Sequence, residues 1–176
     1  MIATGSAQAQ NTSALSGILF YLVAYGFTTV GAFAVVTMVR DAGGEAWHLS
    51  RWAGLGKRSP LLAGVFAFFL LAFAGIPLTS GFFGKYAIFQ AAVTGGALSL
   101  VIVGVVASAV AAFFYVRVIV LMFFSDPAAD GPSVVLPSRG TAAVVGLAAL
   151  ATVVLGVFPQ PVLDLAHSAA QSLFVR

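Results

Sequence analysis

The 176-residue sequence contains no cysteine, and charged residues make up only 7% of it. The absence of cysteine excludes disulfides, thiolate metal sites and cysteine-bound iron–sulfur clusters, so we expect no cofactor and no metal in this chain. Soluble domains carry about 25% charged residues, and the shortage of charge therefore excludes an ordinary soluble globule. The eight basic residues form no cluster with interleaved aromatic residues, which argues against nucleic-acid binding.

The sequence consists largely of long hydrophobic runs. Hydrophobic residues make up 61% of the chain, and its mean hydropathy is +1.08. Because a helix needs about 20 apolar residues to cross a bilayer, the runs predict an all-α fold. This fold is a polytopic transmembrane helix bundle, one membrane domain over residues 1–176 with about four spans. The spans are predicted at about 14–39, 60–95, 98–124 and 140–158, with polar loops at 40–59 and 125–139.

The basic residues predict how the bundle is oriented. Four of the eight lie between Arg40 and Arg58, Arg139 closes the second loop, and the turn at 94–97 has none. Cytoplasmic loops are enriched in Lys and Arg, so both polar loops are predicted to be cytoplasmic and the turn to be outside. Residues 1–10 are then an outside-facing segment. Trp47 and Trp52 suit either a membrane-interface belt or packing on a neighbouring subunit.

The second span is interrupted by residues that break helices. Pro77 lacks an amide donor and its ring clashes with the carbonyl of the residue four positions earlier, while Gly75 and Gly81 allow the backbone to turn. Thr79 and Ser80 can cap the backbone groups that the break releases. We therefore predict half-helices at about 60–74 and 82–95, broken near 75–81. Discontinuous helices of this kind are typical of transporters.

Lys85 is the only charged residue in the 58 residues between Arg58 and Arg117. A charge in the membrane interior costs at least about 2.5 kcal/mol, so such residues usually face a bundle interior or a water-filled path. In the first turn of the second half-helix, the helix dipole and partial desolvation would both disfavour the charged form. The pattern indicates a proton relay. The alternative is a snorkelling or structurally paired lysine beside a proline kink.

Hydroxyl side chains are the other candidates for a proton path. Tyr25, Thr28 and Thr29 on the first span, with Thr79 and Ser80 at the break, could line a hydrated route. Threonine in membrane helices more often bonds its own backbone or a neighbouring helix, and that alternative stays open. Arg117 lies near the predicted cytoplasmic end of the third span, so we interpret it as a snorkelling side chain or a member of an interhelix pair, in preference to a proton-transfer group. His48 lies in a charged loop and is interpreted as solvated.

Three segments carry a resemblance to a known family. In chain order they are 21-YLVAYGFTTVGAF-33, 71-LAFAGIPLTSGFFGKY-86 and 114-FYVRV-118. They resemble the N subunits of the proton-translocating NADH:quinone oxidoreductase, bacterial respiratory complex I, with similarity over roughly residues 12–165. Tyr25 and Thr29 stand where related L-type subunits carry a histidine and a lysine, which indicates the N type.

The resemblance implies a specific place for this chain. Antiporter-like subunits contain fourteen helices, and this chain matches the eleventh to the fourteenth, so we expect it to be part of a longer protein. Lys85 would lie on the broken twelfth helix as the last proton carrier of a hydrophilic axis. The expected location is the bacterial plasma (inner) membrane, as a multi-pass chain.

The resemblance also implies the activity and the partners. The chain would take part in proton translocation coupled to electron transfer from NADH to quinone, with no redox centre of its own. Its partners would be other membrane subunits of complex I, the lipid bilayer and protons, while other subunits handle NADH and quinone. The alternative is a subunit of a cation/proton antiporter complex, which shares the broken helix. A purely structural membrane scaffold is a third possibility.

Overall fold

A computed structural model describes residues 2–41, 43–127, 131–135 and 137–174. These residues form α-helices and three short strands. The helices are α1 (Ile2–Val36), α2 (Leu55–Arg58), α3 (Pro60–Ala74), α4 (Ser80–Thr94), α5 (Leu98–Phe124), α6 (Arg139–Val157) and α7 (Gln160–Phe174). The strands are β1 (Val39–Asp41), β2 (Gly44–Glu45) and β3 (Ser133–Val134), and a 3₁₀ turn covers Leu49–Trp52.

The predicted transmembrane helix bundle is confirmed. Within the described residues, three helical segments are long and apolar enough to cross a membrane: Ala9–Val36, Leu98–Phe124 and Arg139–Val157. The predicted second span consists of α3 and α4, which have 15 residues each. At 1.5 Å per residue, each is about 22 Å long and too short to cross the hydrocarbon alone. Together with the link at 75–79, they make the discontinuous span.

The first helix differs from the prediction at its outer end. Residues 2–10 were expected to be a segment preceding the first span, but the helix already begins at Ile2 and continues for 35 residues. The helix packs against α4 and α7, and side chains between Ala9 and Gly17 line a cavity together with residues of both helices. The helix therefore extends beyond the stretch that hydropathy marks. Ala166 and Ala170 are the buried residues of α7, because they face this bundle.

The two polar loops are not free coil. Strand β1 pairs antiparallel with β2 and, on its other side, with β3 from the second loop. Lys57 also pairs with Asp126, at 2.6 Å between Nζ and Oδ1. Both loops therefore lie at the same end of the bundle, as the basic residues predicted. This small sheet is an addition to the predicted all-α fold.

The core lies between the loops and the middle of the bundle. Buried side chains from the end of α1, from α3 and from the end of α5 meet there, among them Val35, Phe69 and Met122. Trp52 belongs to this core: its indole N–H donates to the Ala46 carbonyl and its ring lies 4.9 Å from that of Phe66. Both interpretations of Trp52 were therefore wrong, because it packs on its own chain.

Helix α5 presents mainly apolar side chains outward. Met122 is its one buried residue, whereas Leu100, Val103 and Phe113 are among those at least 65% exposed. A helix this apolar is stable only against lipid or another protein.

Candidate functional site

The break in the second span begins at the end of α3. Gly75 has φ +84°, in the left-handed region that favours glycine. Its amide donates to the carbonyl of Ala72, and the amide of Ile76 donates to that of Leu71. These two bonds form a Schellman motif, which ends the helix and satisfies two of its last carbonyls. The carbonyls of Phe73 and Ala74 are left for other donors.

The link between the two half-helices is short and tightly packed. Leu78 has φ +73°, a conformation that costs a non-glycine residue free energy. The Thr79 hydroxyl donates to the Ile76 carbonyl at 2.7 Å, and α4 begins at Ser80. A Cβ at Gly81 would collide with the carbonyl oxygen of Ala72, so the half-helices touch backbone to backbone there.

Lys85 reaches back across the break to α3. Its Nζ donates to the Phe73 carbonyl at 2.8 Å and to the Ala74 carbonyl at 3.1 Å. The lysine thus caps the two carbonyls that the Schellman motif leaves. A Cβ at Gly75 would lie 3.2 Å from Lys85 Cδ, so the glycine also makes room for the aliphatic stem.

The electrostatic setting of Lys85 differs from the prediction. Because α4 begins at Ser80, Lys85 is in the second turn of this helix and not in the first. Its ammonium lies against the C-terminal carbonyls of α3, which form the negative end of that helix dipole and attract a cation. The prediction that Lys85 lies in the first turn of the second half-helix was therefore wrong, and its ammonium also meets the negative end of α3.

Three buried hydroxyls from three helices meet beside the break. Thr28 Oγ1 lies 3.2 Å from Thr152 Oγ1 and 3.5 Å from Ser80 Oγ. Thr28 and Thr152 also donate to carbonyls of their own helices, those of Ala24 at 2.9 Å and Ala148 at 2.8 Å. We call Thr28, Ser80 and Thr152 the hydroxyl cluster. It links α1 and α6 to the first residue of α4.

Tyr25 and Thr29 lie on another side of α1 from the hydroxyl cluster. Tyr25 packs on Phe73, at 5.3 Å between ring centroids, and Phe73 packs on Tyr115 of α5 at 5.7 Å. Both Tyr25 and Thr29 line a groove between α1, α3 and α5. The Thr29 hydroxyl oxygen is buried and has no hydrogen-bond partner among the described residues.

The structure brings together some of the predicted site residues and separates others. Thr28 and Ser80 meet, and Thr79 bonds within the link. Ser80 points into the hydroxyl cluster and does not cap the released carbonyls of α3, which bond to Lys85. Arg117 lies at the loop end of α5, beside Leu49 and Ser50. His48 is exposed at the start of the 3₁₀ turn.

Sequence reasoning missed Thr152 and Tyr115. Thr152 interrupts the apolar run of α6, and a polar residue inside a predicted span is a signal that could have found it. The Phe73 and Ala74 carbonyls carry no side-chain signal, so their role depends on the tertiary structure.

Two ion pairs hold the loops at their shared end of the bundle. Arg51 Nε donates to Asp41 Oδ2 at 2.9 Å, and this hydrogen bond holds the pKa of Asp41 below its ordinary value. The hydrogen bond from Lys57 likewise lowers the pKa of Asp126. The Asp41–Arg51 pair is partly buried, whereas the Lys57–Asp126 pair is exposed, where ion pairs contribute little to stability.

Comparisons with known proteins agree with the predicted resemblance. The chain is 67% identical to NADH-quinone oxidoreductase subunit N of Rhodococcus opacus over 162 residues, which cover 92% of this chain. It is 66% identical to subunit N 3 of Streptomyces griseus over 168 residues, 96% of this chain. The chain spans 30% of the length of each relative. With bacterial relatives and several membrane-spanning helices, this is a multi-pass chain of the bacterial plasma membrane.

Solved structures share the fold. A chain of respiratory complex I from Thermus thermophilus with bound aureothin superposes with a TM-score of 0.74 at 29% identity, covering 85% of this chain and 34% of that one. A chain of the Mrp complex from Dietzia gives a TM-score of 0.75 at 24% identity, with 91% and 38% covered. The family model described as NADH:quinone oxidoreductase/Mrp antiporter, transmembrane, matches residues 1–111. The chain therefore belongs to the NADH:quinone oxidoreductase/Mrp antiporter transmembrane family.

Proposed function

We propose that this chain takes part in proton translocation in respiratory complex I, coupled to electron transfer from NADH to quinone. Lys85 is the proton carrier, and NADH and quinone react on other subunits. The observation that carries the proposal is the position of Lys85, the one charge in its membrane segment, with Nζ bonded across the helix break to two backbone carbonyls. A relay group inside a membrane needs partners that accept it both with and without its proton.

The two carbonyls meet that requirement. An ammonium group has three N–H donors, and the Phe73 and Ala74 carbonyls accept two of them. A neutral amine keeps two N–H donors and gains a lone pair. Lys85 can therefore release its third proton and still cap both carbonyls. The same lone pair then accepts the next proton, so one cycle leaves the break intact.

The candidate path-lining residues form two groups near the helix break. Tyr25 packs on the ring of Phe73, one of the two residues that hold Lys85. Thr29, which lines the same groove, has a hydroxyl free to bond a water molecule. The hydroxyls of Thr28 and Ser80 are buried at the start of α4. We propose that Tyr25 and Thr29 face the hydrated route. The Thr79 hydroxyl instead stabilises the link by its hydrogen bond to the Ile76 carbonyl.

The proposed partners are other membrane subunits of complex I and the surrounding lipid. The apolar outer face of α5 is suited to either contact. A subunit of a cation/proton antiporter complex is the second candidate, favoured by the shared fold with the Mrp complex chain. The higher identity to the two subunit N relatives supports the first candidate. Co-purification with flavin and iron–sulfur subunits distinguishes the two.

The test is Lys85→Met in the full-length subunit within its complex, with Arg117→Met as the matched control. Proton uptake into vesicles and NADH:quinone turnover are measured together. We expect Lys85→Met to lower pumping at least tenfold, because it removes the proposed proton carrier; a tenfold change in rate corresponds to about 1.4 kcal/mol in the barrier. Arg117→Met should lower pumping less than twofold. Normal assembly and pumping in Lys85→Met would show that Lys85 is structural.

A second substitution separates capping from proton transfer. Methionine removes the donors and leaves two carbonyls unpaired, so part of its effect could be structural. Lys85→Gln retains an N–H donor for the carbonyls but carries no exchangeable charge. We expect Lys85→Gln to assemble at normal levels and to pump as poorly as Lys85→Met. Lys85→Arg should also fail, because arginine stays protonated.

A further inference from the structure

We infer that α6 positions the helix break, with Thr152 and Gly156 holding residues 78–80 so that Lys85 meets the carbonyls of α3. Thr152 is then a positioning residue for Lys85 and does not carry the proton. The functional consequence of this inference rests on the proposed role of Lys85. Three observations support it: the contacts within the hydroxyl cluster, the contact at Gly156, and the strained link.

The hydroxyl cluster joins three helices through Thr28. Thr28 Oγ1 lies 3.2 Å from Thr152 Oγ1 and 3.5 Å from Ser80 Oγ, and in each pair either hydroxyl can donate. A hydroxyl has one proton and two acceptor lone pairs, so Thr28 can donate to the Ala24 carbonyl and accept from both Ser80 and Thr152. Thr152 then shares its proton between Thr28 and the Ala148 carbonyl, and it reaches Ser80 through Thr28.

Burial makes the cluster sensitive to any displacement. Ser80 and Thr152 are 0% exposed and Thr28 is 2% exposed, so water does not replace a lost partner. A buried polar group without a partner is costly in the membrane interior. Moving the start of α4 away from Thr28 would therefore leave the Ser80 hydroxyl without its partner. The cluster favours one position of Ser80 between α1 and α6.

Gly156 sets the same position by steric contact. It lies one helical turn after Thr152, so both residues are on one face of α6. A Cβ at Gly156 would collide with the Leu78 carbonyl oxygen and with backbone atoms of Thr79. The link thus rests directly on the α6 backbone, and Thr152, one turn earlier, reaches Ser80 through Thr28.

The bonds from Thr79 to the Ile76 carbonyl fix the turn of the link, but they do not fix where the link lies between the helices. Leu78 has φ +73° and a side chain that is 70% exposed, so packing of that side chain does not hold the strained backbone. Thr79, which precedes α4, makes no side-chain cap to that helix. The bond from Lys85 to Phe73 is 2.8 Å long, and a shift of about 1 Å would exceed hydrogen-bond range. Support from α6 prevents such a shift.

The test uses the full-length subunit in the assembled complex. Thr152→Val removes the hydroxyl with little change of shape, and Thr152→Ser restores it. Thr94→Val is the matched control, because among the described residues the Thr94 hydroxyl bonds only the Gln90 carbonyl of its own helix. Gly156→Ala is paired with Gly146→Ala, since a Cβ at Gly146 meets nothing within 4 Å. Peptide-resolved hydrogen exchange over residues 75–85 is measured beside coupled proton pumping.

We expect Thr152→Val to increase exchange at residues 75–85 roughly threefold to tenfold, the range for a lost polar contact between membrane helices. Pumping should fall at least threefold, and Thr152→Ser should recover most of both losses. Gly156→Ala should resemble Thr152→Val, while Thr94→Val and Gly146→Ala should match the unmodified complex. A merely structural defect would not be localised to the break or be rescued by serine.

Each result leads to a distinct conclusion. Unchanged exchange at residues 75–85 in Thr152→Val, in assembled complex, overturns the inference even if Gly156→Ala fails to assemble. Raised exchange with normal pumping overturns the positioning role of Thr152. If Lys85→Met pumps normally, the proposed role of Lys85 fails, whereas the exchange measurement still decides whether α6 holds the break.

Discussion

Lys85 Nζ lies 2.8 Å from the carbonyl oxygen of Phe73, so a side chain of the second half-helix caps the end of the first. The proposed proton carrier is therefore also part of the structure that holds the break. Any change in the geometry of the break changes the partners of Lys85, and this coupling underlies the first prediction.

Gly75→Ala should disturb the break more than a glycine substitution elsewhere in α3. Alanine at φ +84° is strained by roughly 1–2 kcal/mol, and its Cβ would lie 3.2 Å from Lys85 Cδ. Gly64→Ala is the control, because its Cβ meets nothing within 4 Å and alanine favours a helix. We expect a lower melting temperature and weaker pumping for Gly75→Ala only. Equal behaviour of the two variants would contradict the role of Gly75.

Gly31→Ala should loosen the contact between α1, α3 and α6. A Cβ at Gly31 would overlap the ring of Phe69 and the methyl group of Ala148. Overpacking of this kind costs about 1–3 kcal/mol. Gly26→Ala serves as the control on the same helix, since its Cβ meets nothing within 4 Å. Thermal unfolding of the purified complex should show a lower midpoint for Gly31→Ala, and an unchanged midpoint would show that the contact adapts.

The two ends of the bundle should be accessible from opposite sides of the membrane. The sequence contains no cysteine, so Ser50→Cys and Thr94→Cys each introduce one thiol into this chain. Both positions are exposed, whereas Gly96 has φ +80° and is less suitable for cysteine. An impermeant thiol reagent should label Ser50→Cys only from the cytoplasmic side and Thr94→Cys only from outside. Labelling in the reverse sense would invert the topology.

Acidification should loosen the two polar loops at their shared end of the bundle. The folded-state pKa of Asp41 is lowered by its hydrogen bond with Arg51, so its stabilising effect is present above the unfolded pKa of about 3.9. This effect is lost as pH falls through the lower folded value. Hydrogen exchange of residues 39–41, corrected for its intrinsic pH dependence, should rise below about pH 4.

Asp41→Asn provides the control for the acid effect. It removes this titration and leaves that of Asp126, whose pKa is lowered by Lys57. Exchange in Asp41→Asn should already be raised at neutral pH and should change less on acidification. Because the Asp41–Arg51 pair keeps about a quarter of its side-chain surface exposed to solvent, the differences should be modest. An identical pH response in the two proteins would assign the effect to other groups.

The sequence by itself determined the helix bundle, the place of its break and the identity of its one interior charge. Hydropathy marks the spans because lipid selects apolar side chains along a whole helix, and Gly75 and Pro77 act locally on the backbone. The three motifs likewise indicated the relationship to the N subunits. These signals lie in contiguous residues and depend little on distant contacts.

The tertiary structure alone decided what surrounds the break. Backbone carbonyls have no sequence signature, so the partners of Lys85 could not be identified before α3 and α4 were placed together. Thr152 is 124 residues from Thr28, and their contact depends on how α1 and α6 pack. The early start of α1 and the sheet between the two loops also arise from contacts between distant segments. Hydropathy and helix-breaking residues are local properties, whereas these features depend on long-range packing.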